Sequence, residues 1–241
     1  MRSVQDLTPT EFVFIRHGET DWNRQQRFQG QIDVPLNAAG QRQAERLRRR
    51  LAAERADVLV CSDLLRTRQT AAPLAETWGL APLPHPGLRE QHFGVLEGLD
   101  VPTIKAQHPQ LWARWLEHEG DFALPGGESL RRFHARVTAT VAELALQHAG
   151  RRIIAVTHGG VLDMLWRSAH GLPIEGLRRC EIPNTGINRL RWHAGRLSVL
   201  QWADAAHLAG LPDQPSTAAG DRALDPMVAA QREDPAADPR A

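Results

Sequence analysis

The chain has 241 residues, and its 29 Lys and Arg against 28 Asp and Glu leave a formal net charge of +1. That length suits one α/β domain with a sizeable core, and the balanced charge excludes the global basic field of a nucleic-acid-binding protein. No segment approaches the ~18 apolar residues that a membrane span needs. Cys61 and Cys180 form no C-x-x-C pair and no disulfide framework. We therefore expect a cytoplasmic protein with no nucleic-acid or membrane partner.

The first half of the chain predicts two strand-and-helix units. Residues 11–16 form a short apolar run that ends in charged and Gly residues, as a buried parallel strand does. Asn37 can cap a following helix, whose apolar positions have helical spacing. Residues 57–62 predict a second strand, and a helix pattern continues to Trp78. Pro73 lies within this pattern and predicts that the helix kinks or divides there.

The second half continues this alternation after a poorly patterned stretch. In residues 99–125, Trp112 and Trp115 predict short helices folded over another part of the molecule as a lid. Residues 130–144 then predict an amphipathic helix, 151–158 a strand and 161–169 another helix. A turn at 194–195 predicts a hairpin of two late strands, which ends near Trp202.

These elements predict a three-layer α/β/α sandwich with a mainly parallel sheet, formed by residues 1–203. Residues 204–241 carry seven acidic residues against three Arg and are rich in Ala and Pro, a composition that predicts a disordered tail. In a parallel sheet, functional residues gather where strands end. The ends of interest are Arg16-His17 and Thr157-His158, because each is followed directly by glycine.

This combination of residues suits phosphoryl transfer. A neutral imidazole can attack phosphorus, and arginines such as Arg16 and Arg66 keep the proton off the ring while they bind the phosphoryl oxygens bidentately and without a metal. Backbone N–H groups of a helix that starts near Gly159 can add to such a cradle. Glu90 is the acidic residue that we would choose to protonate the leaving oxygen.

Four motifs occur in order: R-H-G-E-T-x-x-N from residue 16, S-D-L-L-R-T-R-Q-T-A from 62, R-E-x-x-F-G-x-L-E-G from 89 and T-H-G-G from 157. Together they resemble the histidine phosphatase superfamily over roughly residues 11–203. The resemblance implies the phosphoglycerate mutase-like α/β/α fold and no metal or organic cofactor. It also implies that the partner of the protein is a small phosphorylated metabolite.

The resemblance also assigns roles. Arg16, His17, Arg66 and His158 would form the phosphate pocket, with His17 as the phosphorylated nucleophile and Glu90 as the proton donor and acceptor. Further positions that match phosphate or substrate contacts are Asn23, Gln29, Gly30 and Gly159. The other histidines lack metal-ligand spacing, so we expect no metal site.

Three functions stay open: a phosphatase, a phosphoglycerate mutase and a module that binds phosphoesters without turnover. Mutases resemble R-H-Y-G-x-L-x-G-x-x-K after the catalytic Glu, whereas this chain has Phe93 and Val101 at the distinguishing positions. Mutases also carry a longer insertion before the second His, but Glu90 and His158 lie only 68 positions apart. F-Q-G at 28–30 and P-G-G-E-S at 125–129 resemble the phosphatase branch.

The segment 126–129 also has a plain interpretation, as a turn followed by a helix cap at Ser129. The alternative is a loop that faces the substrate, and both can hold. The identity of the substrate and the oligomeric state cannot be derived from the sequence, since the residues beyond the phosphate site lie in the poorly patterned region 99–128.

Overall fold

The computed structural model describes residues 8–212 and 214. Its sheet has six strands in the order β3-β2-β4-β1-β5-β6, in which the pairings from β3 to β1 are parallel and β5 and β6 are added antiparallel. The strands are β1 (Thr10–Arg16), β2 (Val58–Cys61), β3 (Leu83–Pro84), β4 (Arg152–Thr157), β5 (Ile187–His193) and β6 (Arg196–Asp204). The predicted mainly parallel sheet is confirmed, and so is the hairpin.

Two helices begin at the polar caps that the sequence indicates. Asn37 accepts a hydrogen bond from the Gly40 N–H group, and Ser129 accepts one from the Arg132 N–H group. The helices are α1 (Asp21–Arg24), α2 (Ala38–Leu51), α3 (Leu65–Trp78), α4 (Val101–Gln107), α5 (Pro109–Leu116), α6 (Leu130–Gln147) and α7 (Gly159–His170).

The expected division at Pro73 does not occur, because α3 is one continuous helix. Ala71 and Leu74 lie on either side of Pro73 and are both fully buried against the sheet. Their packing holds the helix together across the position where proline removes a backbone hydrogen bond.

Successive strand residues face opposite sides of the sheet, and each side is covered by two helices. Val13 and Ile15 of β1 pack in the cluster formed by α2 and α3. Phe12 and Phe14 pack on the other side, against α6 and α7. The three-layer sandwich predicted from the sequence is therefore confirmed.

A third apolar cluster lies outside the sandwich and contains the helices expected in residues 99–125. Phe28 and Leu96 pack there with Val101 and Ile104 of α4 and with Trp112 of α5. The two short helices are thus confirmed, while their action as a lid stays a prediction. Among the residues described, no helix combines the length and the apolar character that crossing a membrane requires.

The chain continues past β6 as a short 3-10 helix, Ala206–Leu208. The Nε2 atom of His207, which belongs to this helix, lies 3.1 Å from the hydroxyl group of Thr185. Thr185 lies in the loop just before β5. The expected tail, 204–241, therefore overlaps the described structure at residues 204–212 and 214. Its remaining residues lie outside the described part of the chain.

Candidate active site

The two strand ends singled out in the sequence lie side by side. Arg16 of β1 is in register with Thr157 of β4, and the His17 N–H group donates to the Thr157 carbonyl oxygen at 2.9 Å. The residue after Arg16 is His17, and the residue after Thr157 is His158. The ring centroids of His17 and His158 are consequently 5.2 Å apart, with the ring planes inclined at 60°.

The environment of His17 fixes its tautomer and keeps it neutral. Its Nδ1 atom lies 2.8 Å from the Gly18 carbonyl oxygen, which can only accept, so Nδ1 carries the proton and Nε2 the lone pair. Burial, followed by the positive charges of Arg66 and Arg16, lowers the pKa of His17 well below its usual value. The Asn184 side-chain amide donates to the His17 carbonyl oxygen at 2.9 Å and so holds the backbone as well.

His158 is fully buried directly before α7. Burial comes first among the causes that lower its pKa well below the usual value, ahead of the charge of Arg66. Neither ring nitrogen has a hydrogen-bond partner among the described residues. Because an unsatisfied buried polar group costs about 1–3 kcal/mol, His158 is suited to donate to the oxygen of a bound group.

Arg66 supplies a fixed positive charge to this site. Its side chain is buried, and its Nη1 and Nη2 atoms donate to the carbonyl oxygens of Ile32 and Gly30 at 2.9 and 2.7 Å. Burial lowers the pKa of Arg66 to about 10, so the guanidinium stays protonated at neutral pH. Arg16 is anchored similarly, through an Nη1 hydrogen bond of 2.7 Å to the Ile182 carbonyl oxygen.

Glu90 is held against the start of α7. Its Oε2 atom accepts from the Gly160 N–H group and its Oε1 atom from the Gln91 N–H group, both at 2.9 Å. Gly160 has to be glycine for this contact, since a Cβ atom there would lie 2.1 Å from Glu90 Oε1. A Cβ atom on the preceding Gly159 would lie in ordinary contact, 3.6 Å from Arg16 Nε.

Asn23 and Gln29 lie at the cavity wall, where Thr20 orients both. The Oδ1 atom of Asn23 accepts from the Thr20 N–H group, and the Asn23 N–H group donates to the Thr20 hydroxyl oxygen, which together complete the cap of α1. The Gln29 Oε1 atom accepts from the same hydroxyl at 3.0 Å. Gly30 has φ +48°, and its part in the site is to offer its carbonyl oxygen to Arg66.

These groups open into a cavity of ≈ 350 Å³. Every predicted site residue lines it except His158, whose buried ring lies next to that of His17. Much of the cavity lining is apolar. The apolar and aromatic residues in it include Phe133, Met164, Leu177, Trp22, Phe28, Phe93 and Trp115.

Sequence reasoning did not predict several polar residues of the cavity, among them Asp163, Arg178 and Asn184. Arg178 Nε lies 3.9 Å from Asp163 Oδ1, and a Cβ atom on Gly159 would lie 3.8 Å from Arg178 Nη1. Arg178 thus lies, like Arg16, near the start of α7. Arg178 and Asn184 belong to the irregular stretch between α7 and β5, which has no periodic pattern that could have indicated them.

Comparison with known proteins agrees with this geometry. The sequence profile of the histidine phosphatase superfamily (branch 1) matches residues 12–205. Phosphoglycerate mutase-like protein 4 of Arabidopsis thaliana is 36% identical over 209 residues, which cover 85% of this chain and 89% of that protein. A metal-independent phosphoserine phosphatase of the same plant is 33% identical over 205 residues, 84% of each chain.

Solved structures show the same fold. A mycobacterial glucosyl-3-phosphoglycerate phosphatase superposes with a TM-score of 0.70 at 31% identity, covering 81% of this chain and 99% of that one. YhfR of Bacillus stearothermophilus superposes with a TM-score of 0.77 at 28% identity, covering 83% and 99%. The names of these similar proteins include both phosphatases and a mutase-like protein.

Proposed function

The chain belongs to branch 1 of the histidine phosphatase superfamily, and on this premise we propose that it is a metal-independent phosphatase of small phosphate monoesters. The observation that carries the proposal is the neutral His17 with a free Nε2 lone pair beside Arg16 and Arg66. Phosphatases among the similar proteins support a hydrolase of phosphate esters. Its substrate would be a small phosphorylated metabolite of the cytoplasm.

In the first half-reaction, the phosphoryl oxygens bind the guanidinium groups of Arg16 and Arg66 and the ring of His158. These groups stabilise the charge that spreads over the oxygens in the transition state. The Nε2 atom of His17 attacks phosphorus, an N–P bond forms and the ester P–O bond breaks. Protonated Glu90 gives its proton to the leaving alkoxide, which departs as an alcohol.

In the second half-reaction, the ionised Glu90 takes a proton from a water molecule that attacks the phosphohistidine. The N–P bond breaks, inorganic phosphate leaves and His17 returns to its neutral form. The hydrogen bond from Gly160 holds the Glu90 carboxylate in one place for both roles.

The second candidate is a phosphoglycerate mutase, because similar proteins from bacteria carry the name probable phosphoglycerate mutase GpmB. The sequence around Glu90 and the short separation of Glu90 from His158 support the phosphatase instead. A mutase would return the phosphoryl group to a sugar-acid hydroxyl, whereas a phosphatase gives it to water.

One pair of assays separates the candidates. Purified protein is incubated in EDTA with p-nitrophenyl phosphate and with a panel of phosphoserine, phosphoglycerates, sugar phosphates and nucleotides. We expect phosphate release from wild type and none from His17→Ala. Interconversion of phosphoglycerates on addition of 3-phosphoglycerate and 2,3-bisphosphoglycerate would identify a mutase instead. Binding without any turnover by folded wild type would identify a phosphoester-binding module.

A further inference from the structure

Arg136 of α6 uses all five of its N–H donors, two on the Glu128 carboxylate and three on backbone oxygens of the segment around Glu90. Its Nε and Nη2 atoms form the two arms of a bidentate pair with Glu128, at 2.8 and 2.7 Å. Nη1 donates to the carbonyl oxygens of Gly87 and Arg89, both at 2.9 Å, and Nη2 also donates to that of Glu90 at 3.2 Å. An arginine with every donor used in this way fixes the plane of its guanidinium.

Glu128 holds the same segment from its other side. Its Oε2 atom accepts from the His92 N–H group at 3.1 Å, and its own N–H group donates to the His92 carbonyl oxygen at 2.8 Å. Its carbonyl oxygen accepts from the Gln91 side-chain amide at 3.0 Å. Burial would raise the pKa of Glu128, but the Arg136 guanidinium and the His92 N–H group outweigh it, so the carboxylate stays ionised.

The segment needs such support because Glu90 lies between two short 3-10 helices, Pro86–Leu88 and Gly94–Leu96, in neither helix nor strand. Besides Arg136, the Gln31 side chain donates to the Glu90 carbonyl oxygen, at 3.1 Å. A group that transfers protons has to be held within about 0.5 Å of its working position. Long helix α6 is a rigid support from which this can be done.

We propose that the Glu128–Arg136 pair is the positioning element of Glu90, which gives the P-G-G-E-S segment a function besides the cap formed by Ser129. Neither Glu128 nor Arg136 acts on the substrate directly. The inference rests on the proposed function, in which Glu90 protonates the leaving oxygen. It adds two residues to the machinery of that step that the family motifs did not bring into the predicted site.

Arg167 of α7 provides a matched control. Its Nε atom pairs with Asp163 at 3.0 Å, and its Nη atoms donate at 2.8 Å to four backbone carbonyl oxygens, so that again all five donors are used. The four acceptors are Pro173, Glu175, Gly176 and Leu177. Arg167→Lys therefore removes an equivalent set of hydrogen bonds from another part of the cavity wall. None of these bonds involves Glu90 or the segment around it.

The test measures single-turnover phosphorylation of His17 by p-nitrophenyl phosphate and by 2-phenylethyl phosphate. Nitrophenolate leaves without protonation, whereas the 2-phenylethyl alkoxide needs a proton from the acid. The rate with p-nitrophenyl phosphate divided by the rate with 2-phenylethyl phosphate therefore rises when the Glu90 carboxyl group is misplaced. We expect Arg136→Lys to raise this ratio about tenfold, the order expected when a catalytic group moves by less than 1 Å. Glu128→Gln should raise it less, and Arg167→Lys should leave it within about twofold.

Circular dichroism and thermal melting establish that each variant is folded, and Glu128→Gln provides the measurement if Arg136→Lys does not fold. A wild-type ratio in the folded variants of the pair overturns the inference, as does an equal rise in Arg167→Lys. Glu90→Gln separates this failure from a failure of the proposed function. If Glu90→Gln raises the ratio and the Glu128 and Arg136 variants do not, only the positioning role of the pair is overturned. If Glu90→Gln leaves the ratio unchanged, the proposed role of Glu90 as the acid is overturned as well.

Discussion

The Nδ1 atom of His17 lies 2.8 Å from the backbone oxygen of Gly18, which makes Nε2 the only ring nitrogen with a lone pair. We expect the phosphoryl group on Nε2, as an adduct that is labile in acid and stable in base. Quenched turnover followed by ³¹P NMR of the denatured protein distinguishes the Nε2 from the Nδ1 adduct.

His17→Ala should form no adduct and lose at least about a thousandfold in turnover, as expected for the loss of a nucleophile. Its thermal melt should remain cooperative. An adduct on Nδ1, or on serine or aspartate, would contradict this assignment.

Removing Arg66 should weaken the binding of the transition state more than the binding of the substrate. Arg66→Ala takes away a buried cation, and we expect kcat/KM for p-nitrophenyl phosphate to fall by about 10²–10³-fold. Arg66→Lys keeps the charge but cannot bind both the Gly30 and Ile32 carbonyl oxygens as a planar fork does, so it should recover only part of the loss.

The control is Arg68→Ala, on the same helix but exposed to solvent. Its kcat/KM should stay within about twofold of wild type, since surface substitutions have small effects. Folded Arg66→Ala with near-wild-type kcat/KM would exclude Arg66 from phosphate binding.

A methyl group added at Gly160 should displace the carboxyl group of Glu90. Its Cβ atom would lie 2.1 Å from Glu90 Oε1 and 3.1 Å from Phe133 Cε1, so Gly160→Ala should slow phosphorylation by alkyl phosphates more than by p-nitrophenyl phosphate. Gly159→Ala places the same group one residue earlier, where its nearest neighbour is 3.6 Å away, and should lose less activity. Equal losses in the two variants would argue against a tight Glu90–Gly160 contact.

The buried histidines should make stability depend on pH. Burial lowers the pKa of both His17 and His158 in the folded protein, with the arginine charges adding to it. Below about pH 6.5 the unfolded chain takes up protons that the folded chain does not, so stability is full above that pH and falls as the pH drops. The loss should approach about 1.4 kcal/mol per pH unit for each such histidine.

Urea unfolding at pH 7.5, 6.0 and 5.0 measures this dependence. His134 and His207 add to it, since burial also lowers their pKa values, that of His207 to about 4. His158→Gln should reduce the slope of unfolding free energy against pH below 6.5. A slope identical to that of wild type would mean that folded His158 takes up a proton as readily as the unfolded chain does.

Periodicity predicted the layers of the fold but not its smallest elements. β1 and α6 are long and apolar enough on their buried positions for their patterns to be read. α1, with four residues, and β3, with two, are too short to show any period. At Pro73 local chemistry predicted a kink or a division, and the division does not occur, because the neighbouring Ala71 and Leu74 are buried against the sheet.

Some residues of the site could likewise be predicted from the sequence, and others could not. His17 and His158 were predicted together because each follows a strand, and strand ends are local features of sequence. Arg136 was not predicted, because three of its five hydrogen bonds go to backbone oxygens 46 to 49 positions earlier, and a carbonyl oxygen carries no sequence signature. The segment that carries Glu90 is therefore held by polar contacts that only the tertiary structure brings together.

The place of β1 in the sheet has a consequence for the order of folding. β1 precedes every other strand of the described sheet, yet its two neighbours are β4 and β5, with Arg16 beside Thr157 and Ile15 beside Ile187. Contacts of such long sequence separation form slowly, because the intervening chain must first be brought into place. As the protein is synthesised, residues 10–16 must wait unpaired until most of the chain has emerged. The first strand to be made is thus among the last to acquire both its neighbours.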